Sequence, residues 1–183
     1  MQTKRFKRYT APEQVPTRRL IEHPGEIGEY LPVHTRSMRK PGVDYSNPEL
    51  ICFITFRVNV DCAVRFENDA GTVAWRTLIS ECGNIRCRLY AACMMKDHVH
   101  MLLSPSGKGE SISDVVMQIK SLCALSLRNE CHVYLKWQTS FYDHILRDSA
   151  MMDREFNAVK QYIIDNPARS GIGGPYPFVF SES

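Results

Sequence analysis

The sequence predicts an α+β protein, an antiparallel sheet with helices packed on it, behind an irregular N-terminal extension. Three observations carry that expectation. Strand-like and helix-like runs follow one another in the order β-α-β-β-α-β-α. The two middle strands are joined by little more than Lys96-Asp97, a connection so short that it turns the chain straight back on itself. The 183 residues are 44% hydrophobic and 23% charged, enough apolar material for one real core and too much for general disorder. A hairpin in the middle of such an order is close to a ferredoxin-like arrangement.

Residues 1–47 read as a basic, proline-rich extension and residues 48–183 as the folded domain. The extension holds nine Lys/Arg against five Asp/Glu, a net of +4, and the rest holds fourteen against fifteen, a net of −1. Pro12, Pro16, Pro24, Pro32 and Pro41 interrupt it, with Ile27, Tyr30 and Leu31 as its apolar anchors. A basic leader is commonly just a solvated tail; its functional alternative is an arm on phosphates. No apolar run approaches the ~20 residues of a membrane span. No apolar stretch follows the charges of Met1–Tyr9, so no secretory signal is expected. Seven cysteines without a Cys-x-x-Cys pair suit buried free thiols in a reducing cytoplasm.

Gly42–Pro48 has turn chemistry. Leu50–Val58 is apolar on both faces, as a strand covered on both sides would be. A helix follows from Asp69 to about Cys82, with Val73, Leu78, Ile79 and Cys82 as its buried stripe and Gly83-Asn84 as its stop. Ile85–Met95 and the strand from His98 form the hairpin. After the Ser104–Gly109 loop, Ser111 and Asp114 make a capping box. They start a helix with Ile112, Val115, Val116, Ile119, Leu122 and Cys123 at helical spacing. Val133–Gln138 reads as a strand or extended segment continuing through Phe141–Leu146. The last helix runs from Asp148-Ser149 to Asn166-Pro167, its core stripe being Met152, Phe156, Val159 and Ile163.

The chemistry gathers in Lys96-Asp-His-Val-His-Met-Leu-Leu103. Strand side chains alternate faces, so His98 and His100 share one side while Val99, Met101 and Leu103 take the other. Imidazoles roughly 6.6 Å apart along a strand can swing onto one divalent ion. A histidine on a strand is more often structural, and the pair needs a partner elsewhere. On the last helix Tyr162 lies beside the core stripe, with Asn166 four residues on and on the same face. Singly, each reads as ordinary: a half-buried anchor, and a residue before a proline.

Together these stretches resemble the signatures of the single-tyrosine HUH transposases, closest to their REP-associated tyrosine transposase branch. The matching segments are Lys96–Leu103, Trp137–Arg147 and Tyr162–Pro167, with Arg39–Ser46 resembling the segment before the family's first strand. The likeness covers roughly residues 39–180. It implies an antiparallel sheet carrying His-hydrophobe-His on a central strand and a nucleophilic tyrosine on a C-terminal helix. It further implies metal-dependent cleavage and rejoining of single-stranded, hairpin-associated DNA, in transposition or a domesticated derivative of it. By motif position His98 and His100 would be metal ligands and Tyr162 the nucleophile; Asn166 stands where relatives carry a polar residue that completes the metal shell. Mg²⁺ and Mn²⁺ are both compatible with such donors. Monomer and homodimer both occur among relatives, and the expected location is the cytoplasm, on the nucleoid.

Phe141 and Tyr142 are candidates for base stacking; Trp137 is read as core. Arg36, Arg39, Lys40, Lys120, Arg128 and Arg147 are candidate phosphate contacts, and His144 a DNA or supporting contact. The alternative function is a catalytically silent DNA-binding relic, against which the intact His98, His100 and Tyr162 argue. A histidine-triad nucleotide hydrolase would need a further histidine at position 102, where the chain has Leu102.

Overall fold

The strand rich in β-branched and aromatic residues and the histidine strand lie side by side in the middle of the sheet, because only there are both faces covered. The computed structural model describes residues 42–84, 87–146 and 152–182. In chain order these form β1 (Cys52–Arg57), α1 (Asn68–Asn84), β2 (Cys87–Met94), β3 (His98–Pro105) and α2 (Ile112–Cys131). They continue with β4 (Tyr142–Ile145), α3 (Met152–Arg169) and β5 (Val179–Ser181). The sheet order is β4-β1-β3-β2-β5 with every neighbouring pair antiparallel. Its first four strands have the ferredoxin-like order that the central hairpin implied.

Strand alternation divides the core. Val99, Met101 and Leu103 pack with Cys52, Ile54 and Phe56 against α1 and α2. Phe53, Ala91, Cys93 and Leu102 face the other way and pack against α3 through Ile163, with Met152, Phe156 and Val159 alongside. The Ser111–Asp114 capping box forms in full, and His132 closes α2 in the left-handed conformation. All seven cysteines are free, five of them buried. Tyr45, inside the stretch expected as extension, is buried in the core and its hydroxyl donates to Asp143 Oδ2 at 3.1 Å. No helix among the described residues is long and apolar enough to cross a membrane.

Three points narrow or correct the expectation. Val133–Gln138, expected as a strand or extended segment, is the latter, joined to the sheet by a single bridge, Val58 to Trp137. Tertiary contacts override its β propensity. Trp137 wedges against Phe56 and Phe66, at 5.0 and 5.4 Å between ring centroids, and its indole N–H donates to the Lys120 carbonyl at 2.8 Å. The last helix does not stop at Pro167 but runs on to Arg169, since the Asn166 carbonyl still accepts from Ser170 N–H at 3.0 Å. Strand β5, which begins just after the Gly171–Phe178 stretch, is only three residues long, too short to show a period in sequence. The expected helix start at Asp148-Ser149, the strand residue Ile85 and the segment before Gly42 lie outside the described residues.

Candidate active site

The register of three strands builds the site. On β3, His100 lies opposite Thr55 of β1 and Cys93 of β2, while His98 lies opposite Arg57. His98 and His100 share the α3 face, their ring centroids 4.8 Å apart. Each uses its Nδ1 on a neighbour. His98 Nδ1 meets Asp97 Oδ1 at 2.7 Å, and His100 Nδ1 meets Thr55 Oγ1 at 2.8 Å. Both Nε2 atoms are left without a hydrogen-bond partner among the described residues.

Helix α3 brings Tyr162 over this pair. Its ring meets His100 edge-on at 5.7 Å and Phe53 at 5.9 Å between centroids. Asn166, one turn on, is only 7% exposed, and its side chain draws the phenol pKa downward. The Arg169 guanidinium stands over the Tyr162 ring, 5.5 Å from its centroid.

Charge in this place is tuned by burial. Burial pushes His100 down to about 3, with His98 and Arg57 adding repulsion. Burial also lowers His98, against the opposing pull of Asp97. Both imidazoles are therefore neutral at physiological pH, the form that donates a lone pair. Burial raises the Tyr162 phenol above its ordinary value, and the Asn166 side chain and Arg169 charge only partly offset this. Asp97 is pushed up by burial but held below the usual range by His98 and Arg57.

Among the described residues no group of three or more His, Cys, Asp and Glu side chains converges on a common point. Two imidazole Nε2 atoms remain, each backed by an oxygen on the opposite ring nitrogen, as metal-ligating histidines commonly are. Asn166, buried one turn from Tyr162, brings a carboxamide with both an acceptor oxygen and an N–H donor to the same face. Such a set suits an ion whose remaining positions are taken by phosphate oxygens or water.

The expected DNA-contacting residues divide by face. Tyr142 lies near the site, with its ring 6.2 Å from Phe53. His144 is next on that face, and its Nε2 pairs with Glu155 Oε1 at 2.8 Å. Phe141 packs against the α1/α2 core, as does Trp137. Lys120 is turned inward, donating to the carbonyls of Gln138 at 2.6 Å and Ser140 at 3.4 Å. Arg128 lies over Tyr134, on the helix across the sheet from the histidines. Arg36, Arg39, Lys40 and Arg147 lie outside the described residues.

Sequence reasoning missed Phe53, Thr55, Arg57 and Arg169 as parts of this site. The first three sit at alternate positions of β1, so a common face was readable; that this face meets the histidines depends on register. Arg169 was hidden behind Pro167, which reads as a helix stop.

The fold is one that a transposase uses, and the sequence comparison places the chain among the transposases. Residues 55–166, from Thr55 to Asn166, match the family model of IS200-like transposases, and the chain belongs to that family. No curated protein matches the chain. Its fold is similar to the solved structure of a REP-associated tyrosine transposase bound to a REP hairpin. That pair has a TM-score of 0.58 at 16% identity and covers 75% of this chain and 79% of that one. A putative transposase from Deinococcus radiodurans aligns at a TM-score of 0.44 and 19% identity, over 70% of this chain and 97% of that one. Family membership gives the chain a transposase-like role.

Proposed function

We propose that the chain cuts and rejoins single-stranded DNA through Tyr162, at hairpin-associated sequences like the REP hairpin bound by its structural neighbour. The observation that carries this reading is the 5.7 Å approach of the Tyr162 ring to His100, on the face where both imidazoles keep Nε2 free. The Tyr162 Oη attacks the scissile phosphorus; the new phenolic P–O bond forms as the bond to the 3′ oxygen breaks. The phenol loses its proton, the 3′ oxygen gains one, and a 5′-phosphotyrosine is left. Reversal by a 3′-hydroxyl rejoins the strand, so no nucleotide cofactor is required.

The chain's residues divide the work. Asn166 favours the ionised phenol and so helps as the proton leaves. Arg169 adds a positive field over the ring. Phe53 keeps water from the inner side of the site. His98, His100 and the Asn166 oxygen would hold Mg²⁺ or Mn²⁺, which when bound neutralises phosphate charge and orients the scissile bond. The basic residues of 1–47 would add phosphate contacts, with Tyr142 offered to a base. We place this work on the nucleoid, in the cytoplasm.

The test is a covalent protein–DNA band on a denaturing gel, using hairpin-flanked single-stranded DNA from around its own gene with Mg²⁺ or Mn²⁺. The band is expected with the wild type and absent from Tyr162→Phe and His98→Ala. A band that survives Tyr162→Phe shows that another residue is the nucleophile. No band, together with binding that weakens with salt by about −0.7 in log K per log salt for each phosphate neutralised, means a DNA-binding relic.

A further inference from the structure

Three side chains form a line beside the histidines. Arg57 Nη2 donates to Asp97 Oδ2 at 2.7 Å, and the other oxygen of Asp97 meets His98 Nδ1 at 2.7 Å. The strand register produces this: Arg57 is the cross-strand neighbour of His98, and Asp97 is the residue immediately before β3. The Asp97 carbonyl also accepts from Val58 N–H at 2.8 Å, tying the head of the hairpin to the end of β1. Asp97 is thereby held from two sides and turns one carboxylate oxygen to each partner.

An ionised carboxylate can only accept hydrogen bonds. The imidazole nitrogen facing it must carry the proton, which leaves the lone pair on Nε2. His100 differs. Its partner is the Thr55 hydroxyl, which donates or accepts equally well and so does not fix a tautomer by itself. The two rings stand side by side, one locked and one adaptable.

We infer that Asp97, anchored by Arg57, is a positioning residue that holds His98 as the Nδ1–H tautomer with its Nε2 lone pair outward. This deepens the reading of His98 as a metal ligand and rests on it, since a metal takes the lone pair and never the N–H. A carboxylate behind a ligating imidazole also raises its basicity. Arg57 keeps the carboxylate in place, which a lone flexible Asp at a hairpin head would not guarantee.

The test has two readouts on the full chain. Long-range ¹H–¹⁵N spectra of the metal-free protein at about pH 8, where the imidazoles are neutral, report which ring nitrogen of His98 bears the proton. Calorimetric titration with Mn²⁺ alone reports affinity. The wild type is expected to show His98 as Nδ1–H. Asp97→Ala should release it toward Nε2–H and weaken Mn²⁺ by about 10–100-fold. Asp97→Asn keeps an acceptor oxygen and should restore most of the tautomer signal. Arg57→Gln, which leaves the hairpin intact, should show a partial release. An Nε2–H signal at His98 in the wild type overturns the inference without any variant. So does a folded Asp97→Ala whose tautomer and Mn²⁺ affinity both stay within twofold of wild type. A wild-type Nδ1–H signal lost in Asp97→Ala, but with no Mn²⁺ binding at all, supports the positioning and overturns the metal reading instead.

Discussion

Phe53 lies against His100 with ring centroids 5.5 Å apart and planes 23° apart, while its edge meets Tyr162 at 5.9 Å. One buried ring from β1 thus packs against both an imidazole on β3 and a phenol on α3. Removing it takes away a core side chain, 3% exposed, that both halves of the site rest on. Phe53→Ala is expected to cost about 3–5 kcal/mol of stability. Phe53→Leu should cost less yet still slow adduct formation at temperatures where the protein is fully folded. Urea unfolding beside adduct rates checks this. An unaltered rate in folded Phe53→Leu would mean that the ring serves stability alone.

Acid should unfold this protein earlier than its carboxylates alone require. His100 in the fold titrates at about 3, against an ordinary value of 6.5. Above that ordinary value both folded and unfolded chains hold it neutral, and it has no effect. As pH falls, the unfolded chain takes up the proton and the folded one refuses it. Stability then drops by about 1.4 kcal/mol per pH unit from this group until the folded pKa is reached. His98, lowered in the same way by burial, acts in the same direction. Urea midpoints at pH 7 and pH 5 should differ more in the wild type than in His100→Gln; equal differences would contradict the buried neutral ring.

Arg169 should ease ionisation of Tyr162. Its guanidinium over the ring opposes the upward push that burial gives the phenol. Arg169→Gln therefore leaves that push less opposed, and the midpoint for Tyr162 in an ultraviolet titration should move to higher pH. Subtracting the Tyr162→Phe trace isolates the signal. Arg169→Lys should return part of the shift, and a midpoint unmoved in Arg169→Gln would remove Arg169 from the site.

Gly71 tests the packing of the opposite layer. A Cβ there would stand 2.9 Å from Cε2 and Cζ of Phe178 and 3.0 Å from the backbone carbon of Phe66. Alanine ordinarily favours a helix over glycine by up to about 1 kcal/mol. Here Phe178 is itself buried and the Phe66 backbone cannot retreat cheaply, so overpacking should win by roughly 1–3 kcal/mol. Gly71→Ala should melt lower in calorimetry, and a higher melting temperature would show that Phe178 yields freely.

What could be read in the chain were features whose period is local. Val99, Met101 and Leu103 announced one face of β3, and His98 and His100 the other. The Ser111–Asp114 box marked where α2 begins, and Ile163 marked the inward side of α3. The short Lys96-Asp97 connection implied the hairpin and, with the helices around it, the sheet order. Tertiary structure decided what no local period records. Val133–Gln138 has strand-like residues, but Trp137 packs against Phe56 and Phe66 and the segment keeps a single bridge to the sheet. Helix α3 passes Pro167 because the following turn still finds the Asn166 carbonyl. Phe53, Thr55 and Arg57 became part of the site only through pairing with β3, where one step of register would have turned all three away. The sequence by itself determined which side chains share a face of their own strand or helix, because backbone geometry repeats every two or 3.6 residues. Which faces meet depends on contacts between residues far apart in the chain, such as Thr55 with His100 and Phe53 with Tyr162, and these exist only once the sheet has assembled.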